Sequence, residues 1–337
     1  MGNLVFIAGA GMAGLCAAAR ARELGADPVV LEKGSRPGGS MVLSSCVVWR
    51  YRTFEDFRAE CPGGDEELQR AVFDGFDDAL EWLVSLGPKV VWEETPNPRT
   101  TGKQFEPRSL TEALVRAAGD VRLGEELPDR LPMVLATGGF AVRYAREHRL
   151  LLRCNPWSEG DGLDFARERG ADAIGDLHEF YGRAMPALPA RIGEEDYVRL
   201  SQLWDGEARV VNEDGVEFFP GPPAWHESDL AQAIARQPGG TAWFAVPADR
   251  HDDRRVVALR EAGGTVIEDD AELRLHVAAA VTHTQGGIAV DSQARVKGVD
   301  GLFAAGADVG GISTGGYSSG LAAALVLGRL AAESAVR

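Results

Sequence analysis

Val5 to Ser40 reads VFIAGAGMAGLCAAARARELGADPVVLEKGSRPGGS. Val5, Phe6 and Ile7 are the short apolar run of a strand buried in a parallel sheet, and they lead straight into GAGMAG. Gly9, Gly11 and Gly14 hold the GxGxxG positions. The first glycine permits a tight turn, the second lets a pyrophosphate approach bare backbone, and the third lets the following helix pack closely on the sheet. That helix, from about Met12 to Leu24, turns its partly positive amide end toward the phosphates. Pro28 to Leu31 forms the next strand, and Glu32 closes it where an acid accepts hydrogen bonds from ribose hydroxyls. A GxGxxG alone is also found at ordinary helix starts, but strand, helix, spacing and acid here agree on a dinucleotide site.

Composition narrows the class. At 337 residues the chain is long enough for two domains with a sizeable core, and 45% hydrophobic residues is ordinary for a globular protein. Its 35 basic and 51 acidic residues give a net charge of −16, which argues against nucleic acid or an anionic membrane as partner. Cys16, Cys46, Cys61 and Cys154 lack the spacing of a metal site, so no metal is expected, and a reducing cytoplasm is the simplest setting. No apolar run approaches the twenty or so residues of a membrane span, so the expectation is a soluble, cytoplasmic protein.

Beyond the first unit, Leu68, Val72, Phe76, Leu80 and Leu83 recur at helical spacing and predict an amphipathic helix over Asp65 to Leu86. Trp92 to Glu106, rich in Pro and Thr, reads as loop. Ser109 and Glu112 make a capping box for a helix through about Ala118, and only one strand fits between there and the strand at Met133 to Thr137. From about Ala141 to Val277 the pattern changes to short mixed elements with proline clusters, and strand and glycine patterns return from His276. The nucleotide domain is therefore expected to be discontinuous, 1–140 and 278–337, with 141–277 inserted.

Five segments carry a resemblance: LEKGSRPGGS at Leu31 to Ser40, LATGGF at Leu135 to Phe140, NPWSEGDG at Asn155 to Gly162, THTQGGIAVD at Thr282 to Asp291, and GLFAAGADVGGISTGGYSSGLAAALVLGRLAAE at Gly301 to Glu333. In this order they resemble the fumarate reductase/succinate dehydrogenase flavoprotein family, which includes 3-ketosteroid and tricarballylate dehydrogenases. The resemblance implies FAD rather than a nicotinamide nucleotide, and an α/β fold. A Rossmann-like FAD-binding domain would be interrupted by an α+β capping domain at 141–277. It also implies a shortened member, since the family's β-meander before the ATG turn has no room here. Gly9, Gly11, Gly14 and Glu32 would hold the adenosine diphosphate half. Gly38, Gly39 and Ser40, with Gly315, Gly316 and Ser319, would hold the flavin half. Ala13, Lys33, Ser45, Thr137, Gly138, Gly306, Asp308, Ser318 and Leu321 complete the expected cofactor contacts.

The resemblance also bears on catalysis. The glycine turn at Gly315 leads into a helix whose amide end would face the flavin's pyrimidine edge, where reduction builds negative charge. The family's ribityl-contacting acid falls at Ala307, so Asp308 is the candidate substitute, against a solvated loop aspartate. His283 stands where the family presents a histidine to substrate; the plainer reading is a hydrogen-bonded histidine at a domain joint. Glu217 occupies the position of the family's proton-donating arginine, and its charge would repel fumarate. A second arginine of fumarate reductases is also missing, its loop holding Ser313, Thr314 and Tyr317 instead. Tyr317 suits a neutral carbonyl, or else packs on the flavin. Cys46 offers a thiol for covalent attachment or is a plain buried cysteine, and His226 is a minor candidate substrate contact.

The expected activity is hydride transfer between flavin N5 and a carbon next to a carbonyl or carboxylate of a small-molecule substrate, with fumarate disfavoured. A flavin oxidase or amine dehydrogenase is the alternative within enzymes, and a flavin-binding protein without catalysis is the alternative outside them. The chain shows no second GxGxxG with its own strand, so electrons are expected from a separate carrier or from the substrate.

Overall fold

The computed structural model describes residues 3–204 and 206–337, and these divide into two compact units. The first contains the chain up to Val142, Asn155–Glu179 and His283–Arg337; the second contains Arg143–Cys154 and Phe180–Thr282. Residues 155–179, which the sequence reading puts in the insertion, thus group with the first unit. The cause is local packing. Asn155 N donates to Ser40 Oγ at 3.1 Å, and the Trp157 ring lies where a side chain on Gly34 would be, 2.4 Å from the Cβ position.

In chain order the longer strands of the first unit are β1 (Leu4–Ala8), β2 (Asp27–Glu32), β3 (Val47–Tyr51), β4 (Val90–Trp92), β5 (Thr100–Phe105), β6 (Val121–Leu123), β7 (Met133–Leu135) and β8 (Leu302–Ala304). Five of them make a wholly parallel sheet in the order β8-β7-β1-β2-β6. Val5, Ile7, Val30, Val134 and Ala304 are completely buried, as expected of a parallel sheet covered on both faces. The stretch with room for one strand holds β6, paired with β2 at the sheet edge.

The helices of this unit are α1 (Met12–Glu23), α2 (Phe54–Glu60), α3 (Glu66–Ser85), α4 (Pro107–Ala118), α5 (Asp161–Glu168) and α6 (Gly320–Val336). The alanines and glycines of α1 and α6 have a packing reason. A Cβ on Gly328 of α6 would sit 2.5 Å from the Ala13 carbonyl oxygen of α1, so only small residues let the two backbones come this close.

Two local readings need correction. The Trp92–Glu106 stretch is not all loop, because Thr100–Phe105 is β5, the middle strand of the antiparallel sheet β3-β5-β4. Its Thr-rich sequence carries little hydrophobic alternation, and pairing with β3 supplies the order. Helix α4 starts at Pro107 rather than at a Ser109 capping box. Glu106 is the N-cap, accepting from Arg108 N at 3.2 Å and Ser109 N at 2.6 Å, while Ser109 Oγ accepts from Lys89 N. Proline at the first helical position has no N–H to satisfy, so the helix can begin there.

The second unit has its own sheet, ordered Phe180–Pro186, Glu272–Thr284, Thr241–Pro247, Arg209–Val211, Glu217–Phe219. Helices Ser228–Ala235 and Arg254–Glu261 belong with it, and Val210, Leu230, Ile234, Phe244, Leu259 and Leu275 share its core.

Candidate functional site

The first glycine turn is built to bring backbone close to backbone. Gly9 has φ +104°, and a Cβ there would lie 2.2 Å from the Ala136 carbonyl oxygen. A Cβ on Gly14 would lie 1.9 Å from the Gly9 carbonyl oxygen, so the third glycine seats α1 on the turn itself. Gly11 differs, because its Cβ position is met only by Gly39 Cα at 3.9 Å, leaving two bare stretches of backbone facing across a narrow gap. Gly38 ties the two stretches together, its N–H donating to Ala10 O at 2.8 Å.

Helix α1 begins at this gap with Gly11 as N-cap, no side-chain cap and no acid in its first turn. By contrast Thr53, Asp65, Glu106 and Ser319 cap α2, α3, α4 and α6 with their side chains. An uncapped helix start leaves first-turn amides for an anionic ligand. Glu32 is buried, 5% exposed, and accepts from Ala10 N and Gly34 N, both at 2.7 Å. Each carboxylate oxygen has two lone-pair positions, so the bonds that fix the turn still leave acceptor capacity for hydroxyls.

Lys33 is held away from this centre by two acids of the Asn155–Glu179 segment, its ammonium reaching Glu159 at 2.6 Å and Asp161 at 3.0 Å. Burial opposes its charge, but the two carboxylates prevail and hold it above the usual lysine range. Ser45 is exposed, and its carbonyl accepts from Gln104 Nε2. Ala13 and Gly306 meet where the α1 backbone passes β8's loop, the Gly306 Cβ position lying 3.0 Å from Ala13 Cβ.

Asp308 is neither solvated nor on a free loop. It is 1% exposed and binds the ATG turn, accepting from Thr137 N, from Thr137 Oγ1 at 2.8 Å and from Gly139 N at 3.0 Å. Burial raises its carboxyl above the ordinary aspartate range, with those hydrogen bonds pulling the other way. Thr137 in turn accepts from Gly162 N at the start of α5, and a Cβ on Gly138 would lie 2.7 Å from Ser158 Oγ.

The second glycine turn, before α6, is satisfied mainly within the protein. Ser319 caps α6 by accepting from Ala322 N at 3.2 Å, and Ser318 shares a 2.6 Å hydrogen bond with Ser313. Gly316 has no room for a side chain, its Cβ position being 1.7 Å from the Glu60 carbonyl oxygen. Tyr317 is half-buried; its carbonyl accepts from Tyr51 Oη at 2.8 Å and its ring leans on Trp49 at 5.7 Å between centroids. The His283 ring borders the helix start, with Cε1 3.4 Å from the Cβ position of Gly320, and Leu321 follows, half-buried. His283 and Tyr317 therefore flank one helix terminus.

The remaining sequence candidates have the following surroundings. Glu217 belongs to the second unit, exposed on Glu217–Phe219. His226, in the same unit, is buried and accepts from Ser228 N through Nδ1. Cys46 is completely buried; burial and then Glu106 push its thiol up to about 12, so it is the plain buried cysteine. No cluster able to hold a metal occurs among the described residues, and none of their helices is long and apolar enough to cross a membrane.

Sequence reasoning missed several groups here. Thr284 Oγ1, Gln285 Oε1 and Thr314 Oγ1 are buried with no hydrogen-bond partner among the described residues. Glu179 accepts from Gly315 N through both oxygens, at 2.9 and 3.0 Å. In THTQGG the histidine is the one side chain with an evident chemical role, and the burial of Thr284 and Gln285 is settled by packing. Glu179, one of two acids in GDLHEF, gives no sequence signal. A cavity of about 760 Å³ between α3 and α6, lined by Arg70, Asp78, Arg329 and Glu333 among others, shares no residue with either glycine turn.

A family model described as an FAD binding domain matches residues 5–131 and 125–321. The probable fumarate reductase Ifc3 of Shewanella frigidimarina is 23% identical over 451 residues, spanning 99% of this chain and 74% of its own. Among solved structures, the open conformation of a flavocytochrome c3 fumarate reductase has a TM-score of 0.73 at 21% identity, covering 99% of this chain and 78% of its own. The 3-ketosteroid Δ1-dehydrogenase from Sterolibacterium denitrificans, in complex with 1,4-androstadiene-3,17-dione, has a TM-score of 0.74 at 14% identity, covering 99% of both chains. These structural likenesses show a shared fold. The chain's own features suit FAD: a bare Gly11–Gly39 gap for pyrophosphate, an uncapped helix start, a buried acid with spare acceptor positions, and orphaned polar atoms near the second turn. Matched over most of its length, the chain belongs to the FAD-binding-domain family of FAD-dependent oxidoreductases, with FAD as its cofactor.

Proposed function

We propose that the protein moves a hydride between flavin N5 and a substrate carbon next to a carbonyl or carboxylate, with a neutral carbonyl as the preferred activating group. The observation that carries this reading is the second glycine turn. From Gly301 to Gly328 there is no Arg or Lys, and Tyr317 stands in the turn with its ring against Trp49. A turn with no cation of its own offers a dicarboxylate no charge partner from this stretch, whereas a phenol beside aromatic surface suits an apolar molecule bearing a carbonyl.

When bound, FAD supplies the two-electron chemistry at N5. The chain's residues bind and orient. Gly9, Gly11, Ala13, Gly14, Glu32 and Gly39 hold the diphosphate half. Gly38 and Ser40, with Gly316, Ser318, Ser319 and Leu321, hold the flavin half. Thr137, Gly138, Gly306 and Asp308 set the walls between them. The amide end of α6 stabilises negative charge placed against it. The Tyr317 hydroxyl donates to the substrate carbonyl, and His283 at the same terminus is the second donor. A separate electron carrier completes turnover, in the cytoplasm.

Anaerobic mixing of the FAD-loaded protein with 3-ketosteroids, cyclic enones, amines and dicarboxylates tests this. Bleaching of the flavin by a saturated ketone, slowed by Tyr317→Phe, is the expected result. Bleaching by amines or dicarboxylates alone, or neither bleaching of the oxidised flavin nor anaerobic reoxidation of the dithionite-reduced flavin by any carbonyl compound in the panel, would sink the proposal.

A further inference from the structure

We propose that Glu179 positions the Gly315–Tyr317 segment, and so sets the flavin end of the site. This rests on the reading above, in which that segment meets cofactor and substrate.

The segment holds itself by one turn bond, from Gly316 N to Ser313 O at 3.0 Å. Gly315 has φ +85° and no side chain, and Gly316 is pressed against the Glu60 carbonyl with no room for one. Its course is set by partners from other parts of the first unit. The Glu179 carboxylate receives the Gly315 N–H on both oxygens, at 2.9 and 3.0 Å. Gln285 closes a ring with it: Gln285 N donates to Glu179 O at 3.0 Å, and Gln285 Nε2 donates to Gly316 O at 2.9 Å. Two adjacent loop peptides are therefore gripped by two residues that also grip each other. Tyr51 Oη on the Tyr317 carbonyl and Gly63 N on the Thr314 carbonyl hold the flanks.

The choice of a carboxylate is informative. Glu179 is half-buried, and burial, with Asp176 adding to it, raises its carboxyl above the ordinary glutamate range against the pull of Gly315. An uncharged amide would accept the Gly315 N–H without that electrostatic cost. A carboxyl whose burial disfavours its charge, at the turn where His283 and Tyr317 meet, fits a functional position better than a structural one. The bond from the Gly315 N–H to the Glu179 side chain fixes Gly315, and through Gly316 it fixes where Tyr317 starts.

The test uses the FAD-loaded protein and its variants Glu179→Gln, Glu179→Ala and Tyr317→Phe. Hydrogen–deuterium exchange is followed over residues 311–319, together with the Kd for FAD. In Glu179→Ala the segment should exchange roughly tenfold or more faster, with a parallel rise in the Kd, as expected from losing a bond to a charged group. Glu179→Gln should restore most of both, since its oxygen still accepts. Unchanged exchange in Glu179→Ala overturns the proposal. Faster exchange with an unchanged Kd also overturns it, because the segment would then not serve the cofactor. Equal damage in both Glu179 variants, with a lowered Tm, would make the residue a fold element and overturn it too. Tyr317→Phe should leave exchange as in the wild type; if it also leaves substrate bleaching unchanged, the catalytic reading of Tyr317 fails while the Glu179 result stands separately.

Discussion

The two glycine turns of the first unit solve opposite problems. At Gly9–Gly14 the glycines press against protein backbone on one side and leave Gly11 open on the other, and α1 starts without a side-chain cap. At Gly315–Gly320 the following helix is capped by Ser319, and the peptides are held by Glu179, Gln285 and Tyr51. The first turn keeps its donors for a ligand, so its binding energy comes from amides aimed at anionic phosphate. The second uses most of its backbone polar groups on the protein, so its contribution is chiefly shape, a fixed helix field and the few side-chain atoms left without partners. A glycine-rich turn before a helix therefore does not by itself announce a phosphate site; where its hydrogen bonds go decides.

Steric substitutions break this contrast most strongly. Gly14→Val places a Cβ 1.9 Å from a carbonyl oxygen, a backbone clash at or beyond the roughly 1–3 kcal/mol range of overpacking, and should abolish retention of FAD on gel filtration. Gly320→Ala meets only ordinary contact with His283 at 3.4 Å and should retain FAD. Equal losses in both would show that the two turns serve the cofactor in the same way.

Electrostatic changes come next. Glu32→Ala orphans two buried amides, Ala10 N and Gly34 N, at about 1–3 kcal/mol each, and calorimetry should show FAD affinity falling at least tenfold. Ser319→Ala removes the α6 cap, worth about 1 kcal/mol, together with one proposed flavin contact, so Tm should fall by a few degrees and FAD affinity by a smaller factor than in Glu32→Ala.

The smallest effect is on pH dependence. Burial raises the Glu179 carboxyl, so the folded state keeps this proton to higher pH than the unfolded chain. Its contribution is full below the unfolded carboxyl value of about 4.3 and declines as pH rises through the folded value. Glu179→Gln should flatten that part of the Tm–pH curve and leave the Tm at neutral pH equal or higher. A steeper curve in the variant would contradict the assigned burial.

Amino-acid order by itself determined the β1–α1–β2 unit, down to the steric task of each glycine and the closing acid, because those constraints act between residues close in the chain. The same holds for α3, whose apolar spacing is a property of one helix. Residues whose partners lie far along the chain were settled only by tertiary structure. Thr100–Phe105 became a strand by pairing with Val47–Tyr51, and residues 155–179 joined the first unit through contacts with Gly34 and Ser40. Asp308 bound a turn 171 positions away. Glu179 acquired its role from Gly315, 136 positions on. No local pattern encodes such pairings, since they exist only once chain entropy has been overcome by collective burial and distant backbone is brought within hydrogen-bond reach.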